Sequence, residues 1–173
     1  MSDSQRTIYT GKVIRLTLDS VRLPNGADAE LEIVHHPGGA AVVAVNATGQ
    51  VCMLRQYRHA AGGWLWELPA GKLDAGEAPL LTAQRELEEE AGMRAQSWQA
   101  LGKIFSSPGV FNEVIYLFLA RGLTGIPAHT EEHEVIEVHW LMWTEAVRMA
   151  QAGEIQDAKT LAGLLRAQSL IEV

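Results

Sequence analysis

The chain has 173 residues, 47% of them apolar, and a formal net charge of −7. That length suits one domain with a real core and room for a small appendage. The acidic balance argues against a phosphate-backbone binder, which needs a basic surface, but admits a phosphate-bearing small ligand, because metal ions can supply local positive charge.

From the start, MSDSQRT lacks the basic and apolar segments of a signal peptide. Residues 7–36 read as strands: Ile14, Leu16 and Leu18 alternate with Arg15 and Thr17, and Leu31 and Ile33 with Glu30 and Glu32. Pro24-Asn25-Gly26 between them is a turn signal. This piece carries too little apolar surface to hold a fold alone. It is expected to dock on the main domain, on a second copy, or on both. His35 and His36 precede Pro37-Gly38-Gly39, which sets a boundary between an N-terminal β-region, 1–38, and a main domain, 39–173. Without further ligands at suitable spacing, the His pair reads as no metal site.

Ala40 to Val45 and Val51 to Tyr57 are apolar and β-rich, and the polar stretch between them suggests a hairpin. Cys52, in the second run, is the lone cysteine, so no internal disulfide can form. A reducing cytoplasm and a buried, inert thiol are expected. That run ends in Arg55-Gln56-Tyr57-Arg58, whose two guanidinium groups suit phosphate. Trp64 and Trp66 read as core or interface anchors. Beyond residue 93, strands are expected at 98–105, 114–119 and 135–143, with loops at 106–113 and 127–134. Thr144 and Asp157 are candidate N-caps for helices 145–153 and 158–169, the first ended by Gly153. No apolar run is long enough to span a bilayer.

The chain is organised around residues 67–93, ELPAGKLDAGEAPLLTAQRELEEEAGM, a Gly-rich loop running into an acidic helix. Pro79 suits the first helical turn and Gly92 a left-handed stop. Leu80, Ala83, Leu87 and Ala91 share one apolar face. Glu86, Glu89 and Glu90, three and four residues apart, share another. Crowded carboxylates repel, and a hard divalent cation taking oxygen ligands removes the repulsion.

Gly71, Glu77, Arg85, Glu86, Glu89, Glu90 and Gly92 stand at the spacing of the Nudix box, and the stretch resembles that box without a gap or substitution. A chance match has odds on the order of one in a million chains. The resemblance is to the Nudix hydrolases, which cleave a nucleoside diphosphate linked to another group with Mg²⁺ or Mn²⁺. It implies an α/β fold, an α/β/α sandwich with a mixed sheet, preceded by a small N-terminal antiparallel sheet. It further implies metal-binding carboxylates at Glu86, Glu89 and Glu90, completed by the Ala70 carbonyl, and a Glu77–Arg85 pair bracing loop against helix.

RQYRHAAGGWLWELPAGKL, Pro108 sixteen residues after Gly92, and GEIQDAKTLAGLL are similar to the corresponding features of bacterial ADP-ribose pyrophosphatases. With YTGKVIRLTLDSVRLPNG, that likeness covers nearly the whole chain. It implies hydrolysis of ADP-ribose to AMP and ribose 5-phosphate by a homodimer that exchanges N-terminal strands. It also implies substrate contacts at Arg58, Arg55, Glu67, Glu113 and Ser107, and Glu132 as the water-activating carboxylate, with Glu131 and Glu134 beside it. Where relatives stack adenine on an aromatic ring, the nearest counterparts here are the aliphatic Val13 and Ile14. The rival substrates are GDP-mannose and other nucleotide sugars. The rival from another class is a non-catalytic nucleotide-sensing domain, against which the intact box argues. No nucleic-acid partner is expected.

Overall fold

The structure is a computed structural model that describes residues 4–127 and 135–171. Backbone contacts divide the chain into two units. The first holds the opening 38 residues and Phe105–Val114; the second holds Gly39–Ile104 and the chain from Ile115.

In the first unit, β1 (Ser4–Thr10), β2 (Arg15–Arg22) and β3 (Asp28–His35) form an antiparallel sheet in that order. The Pro24-Asn25-Gly26 turn works as its sequence suggests. Gly26 takes φ 85°, where a side chain would be strained, and the Asn25 carboxamide oxygen accepts from the Ala27 N–H at 3.0 Å. Every residue of β1 is exposed, and among the described residues of these strands only Thr17 is buried. The segment 106–113, expected as a plain loop, lies along β3: Val34 donates to the Val110 carbonyl at 2.7 Å and accepts from the Asn112 N–H at 3.1 Å.

The second unit contains two sheets. One is mixed, in the order β7 (Ala70–Lys72), β4 (Gly39–Ala44), β9 (Val114–Gly125) and β8 (Met93–Phe105), with β4 parallel to β9 and antiparallel to β7. The other is β10 (Ile136–Met142), β5 (Gln50–Arg58) and β6 (Gly63–Glu67). The hairpin expected from 40–45 and 51–57 is corrected here. The chain does reverse at Asn46–Gln50, but only Val45 and Val51 bridge, and the strands then part into different sheets. The reason lies in β4, whose six residues are all buried. A strand with no polar face is stable where both edges are paired and both faces covered, and β7 and β9 supply the edges.

The period of two along β4 and β5 sorts the core into layers. Val42, Ala44, Cys52 and Leu54 pack with Ala83 and Leu87 of α1 (Pro79–Ala91). Val43, Val45, Val51 and Met53 pack with Trp143, Ala146 and Met149 of α2 (Trp143–Gln151) and Leu164 of α3 (Ala158–Ala167). Helices therefore cover opposite sides of a β centre, the α/β/α arrangement with a mixed sheet. Leu80 is the exception on the apolar face of α1, since it is exposed at the first turn. Asp157 caps α3 as expected, accepting from the Thr160 N–H at 3.0 Å. Thr144 does not cap α2, because the helix starts two residues earlier than expected and Met142 takes the cap position.

Leu87 is fully buried between α1 and the sheets. Leu87→Ala should cost about 2–5 kcal/mol, from lost transfer energy plus an unfilled cavity. The check is a lower urea midpoint at unchanged slope.

Candidate active site

The acidic helix is positioned by its ends. Pro79 stands at its first position, and Gly92 closes it at φ 61° with its N–H on the Glu88 carbonyl at 3.1 Å. One face is thereby fixed on the core through Ala83, Leu87 and Ala91. The neighbouring face carries Glu86 and Glu90 into buried positions, with Glu89 half-buried.

Arg85 organises these carboxylates. Its Nη1 donates to Glu86 at 2.7 Å and to Glu89 at 3.0 Å; its Nε and Nη2 each donate to Glu77 at 3.2 Å, and Nη2 also reaches the Lys72 carbonyl at 3.1 Å. Glu77 further accepts from the Thr82 hydroxyl at 2.7 Å and the Asp74 N–H at 3.2 Å. The hydrogen bonds from Arg85, with those from Thr82 and Asp74, hold the Glu77 carboxyl down at about 2, and Glu77 in turn holds the Arg85 guanidinium above its ordinary value. The brace expected between loop and helix is this pair.

The loop meets the helix at two further points. Ala70 donates its N–H to Glu90 at 2.7 Å. Gly71 passes so close to Glu86 that a Cβ built there would lie 1.8 Å from the carboxylate oxygen. This glycine is required by approach: any side chain would occupy the place of the carboxylate.

A second ionic group stands where β5 and β6 end. Glu67 is 1% exposed. It accepts from Arg58 Nε and Nη2, both at 2.8 Å, and from Lys159 Nζ at 2.5 Å. Burial alone would push the Glu67 carboxyl up, but hydrogen bonds from Arg58 and the charge of Lys159 carry it below its ordinary value. The hydrogen bonds to Glu67 raise Arg58 against the opposing effect of burial, and the charges of Glu67, Glu90 and Asp157 add to the rise. Cys52 responds to Glu90 too: burial first, then that charge, pushes its thiol up to about 12, so it is inert at neutral pH. Cys52, Leu54, Gln56 and Arg58 alternate onto one face of β5.

Arg55, three places from Arg58, falls on the opposite face and stacks over Trp66 at 5.6 Å. Arg55 and Arg58 therefore stand on different faces of β5. Ser107 and Glu113 belong to the first unit. The Ser107 carbonyl accepts from Val110 and Phe111 in a tight turn. Glu113 lies 3.2 Å from His36 Nδ1. Val13 and Ile14 line a groove of about 240 Å³ with Arg15, His35 and His36. Glu131, Glu132 and Glu134 lie outside the described residues.

A model of the NUDIX domain family matches residues 35–164. The chain is 44% identical to an ADP-ribose pyrophosphatase of Mycobacterium tuberculosis, over 94% of this chain and 80% of that one. It is 40% identical to an ADP-ribose pyrophosphatase of Bacillus subtilis, over 91% and 86% respectively. The chain belongs to the Nudix family. A crystal structure of an ADP compounds hydrolase shares the fold at a TM-score of 0.82 and 18% identity, covering 98% of this chain and 94% of that one.

The donors of the Nudix box fit a divalent cation by chemistry: all are carboxylate oxygens, with Glu86 and Glu90 buried one turn apart beside a glycine that leaves them room. Among the described residues no three acidic, His or Cys side chains converge as a ready cage. Arg85 draws Glu86 and Glu89 toward itself, and the Ala70 N–H holds Glu90.

Sequence reading missed Lys159, Thr160 and the Lys72 carbonyl. One signal for Lys159 was legible: it is a cation in the first turn of a helix, where the macrodipole disfavours it.

Two outcomes are expected. Gly71→Ala should fold, since the clash is with the movable end of a side chain, yet should lower metal-dependent turnover at least tenfold by displacing Glu86; circular dichroism and a rate assay check it. Glu77 has a folded-state value of about 2 against an ordinary 4.5. Its contribution to stability is thus complete above about pH 4.5 and is lost as pH falls toward 2. The stability margin of wild type over Glu77→Gln, from urea melts, should shrink across that window.

Proposed function

We propose that this Nudix protein is an ADP-ribose pyrophosphatase, which hydrolyses ADP-ribose to AMP and ribose 5-phosphate. The observation that carries the reading is its likeness, across 94% of the chain, to an enzyme of that activity. The braced carboxylate helix supports the chemistry.

In this reading Glu86, Glu89 and Glu90, with the Ala70 carbonyl, hold the divalent cations, Mg²⁺ by preference with Mn²⁺ able to substitute. Such ions, when bound, neutralise the diphosphate and acidify a water. Arg85 keeps Glu86 and Glu89 in register, and Arg58 grips phosphate oxygens. Glu132 takes a proton from the attacking water; an ordinary glutamate is ionised at neutral pH and needs no special tuning for that. The water oxygen bonds to phosphorus as the bridging P–O bond breaks, and the work of the protein is positioning and charge stabilisation. Ser107 and Glu113 contribute further substrate contacts. Two copies assemble through exchanged N-terminal strands, a role suited to a β1 that is exposed along its whole length. The enzyme works in the cytoplasm on a small nucleotide, without nucleic acid or membrane.

The test is cleavage by purified protein of ADP-ribose, GDP-mannose, NADH and diadenosine polyphosphates with Mg²⁺, with and without chelator. Chelator-sensitive cleavage of ADP-ribose above the rest is expected. Preference for GDP-mannose would replace the substrate and keep the chemistry; tight ADP-ribose binding without cleavage would make the protein a sensor. Glu90→Gln should lose most turnover with its fold kept, and near-normal activity in it would sink the metal assignment.

A further inference from the structure

Lys159 is an anomaly by local rules. It is the second residue of α3, where the helix dipole opposes a cation. Its side chain is 12% exposed. A lysine held nearly out of water, at the wrong end of a helix, needs anions within reach. Glu67 Oε2 lies at 2.5 Å and Asp157 Oδ1 at 3.0 Å from its Nζ. Glu67 spends its other contacts on Arg58, as a two-pronged acceptor of Nε and Nη2. The next residue, Thr160, accepts from the Leu68 N–H at 2.9 Å, so the first turn of α3 grips the chain immediately after Glu67.

We infer that Lys159 is a positioning residue for substrate binding, acting through Glu67 to fix the guanidinium plane of Arg58. A planar guanidinium held along its Nε–Nη2 edge keeps its other N–H groups, on Nη1 and the far side of Nη2, to donate in the same plane. Among the described residues no hydrogen bond engages Nη1, and the Arg58 side chain is 41% exposed although Glu67 is sealed. That end, unengaged among the described residues, is the one we assign to a phosphate oxygen. The consequence falls on binding, because Lys159 and Glu67 act through the orientation of the Arg58 guanidinium.

The inference rests on the reading of Arg58 as the grip on the diphosphate, and the experiment separates the two. Lys159→Met should raise KM for ADP-ribose about tenfold with kcat within about twofold, and Lys159→Arg should restore KM. Arg58→Ala should raise KM as well. Because Lys159 acts through Arg58, the double variant should be no worse than Arg58→Ala alone, whereas a merely structural lysine would give independent, multiplying losses. If Lys159→Met does not fold, Lys159→Gln, neutral but still a donor, takes its place in the cycle. Multiplying losses, a fall in kcat at constant KM, or an unchanged KM in a folded variant would overturn the inference. If the wild type cleaves another diphosphate compound, the same cycle is read on that compound. If it cleaves none, the catalytic reading fails alone, and the cycle is read from the calorimetric Kd of ADP-ribose. An Arg58→Ala variant with wild-type affinity overturns the premise and the inference together.

Discussion

Everything at the site depends on one guanidinium. Arg85 touches Glu77, Glu86 and Glu89, and it reaches the Lys72 carbonyl in the strand behind the loop. Glu86 and Glu89 on one helix face, with Glu77 of the loop beside them, would otherwise repel each other. The delocalised fork of arginine can meet several acceptors in one plane, which a lysine's point charge cannot do. Arg85 therefore joins the helix, the loop and β7, and it holds two of the three box carboxylates in a geometry that the helix alone would not keep.

The layered core is what lets this cluster be buried. Alternation along β5 sends Met53 to the α2–α3 side and Cys52 and Leu54 to the α1 side. Continued to the strand end, the same alternation delivers Arg58 to the side of α1, near Glu90, and Arg55 to the other, over Trp66. One residue of register would exchange them. The partner each arginine meets is thus selected by the same period of two that packs the core.

Legibility in the sequence followed distance along the chain. The box was readable because its loop, brace and carboxylates fall within one stretch, and the helix caps Pro79 and Gly92 are local signals. The layer architecture was readable in outline for the same reason. The pairing of Glu67 with Lys159 spans 92 positions, and no local pattern announces it. The expected hairpin failed because a polar turn specifies reversal, not pairing, and β4 found better partners in β7 and β9. Thr144 was misjudged because a cap residue is the last non-helical one before the helix, and Met142, at ψ 139°, is that residue here. Arg55 and Arg58 looked alike as neighbours in a cationic run, and only the register of β5 distinguishes them.

The two ionic groups of the second unit solve one problem in different ways. Glu67 is sealed, and a sealed carboxylate needs its lone pairs met by hydrogen bonds or cations; Arg58 and Lys159 meet those of Glu67. Glu86 is buried as well, but its partner Arg85 is shared with Glu77 and Glu89, so its grip on any one carboxylate can be given up without leaving the arginine unpaired. One arginine is divided among Glu77, Glu86 and Glu89, whereas two cations converge on Glu67 alone among these carboxylates. That distinction is drawn by hydrogen-bond partners alone, since by burial Glu67, Glu86 and Glu90 are all interior carboxylates.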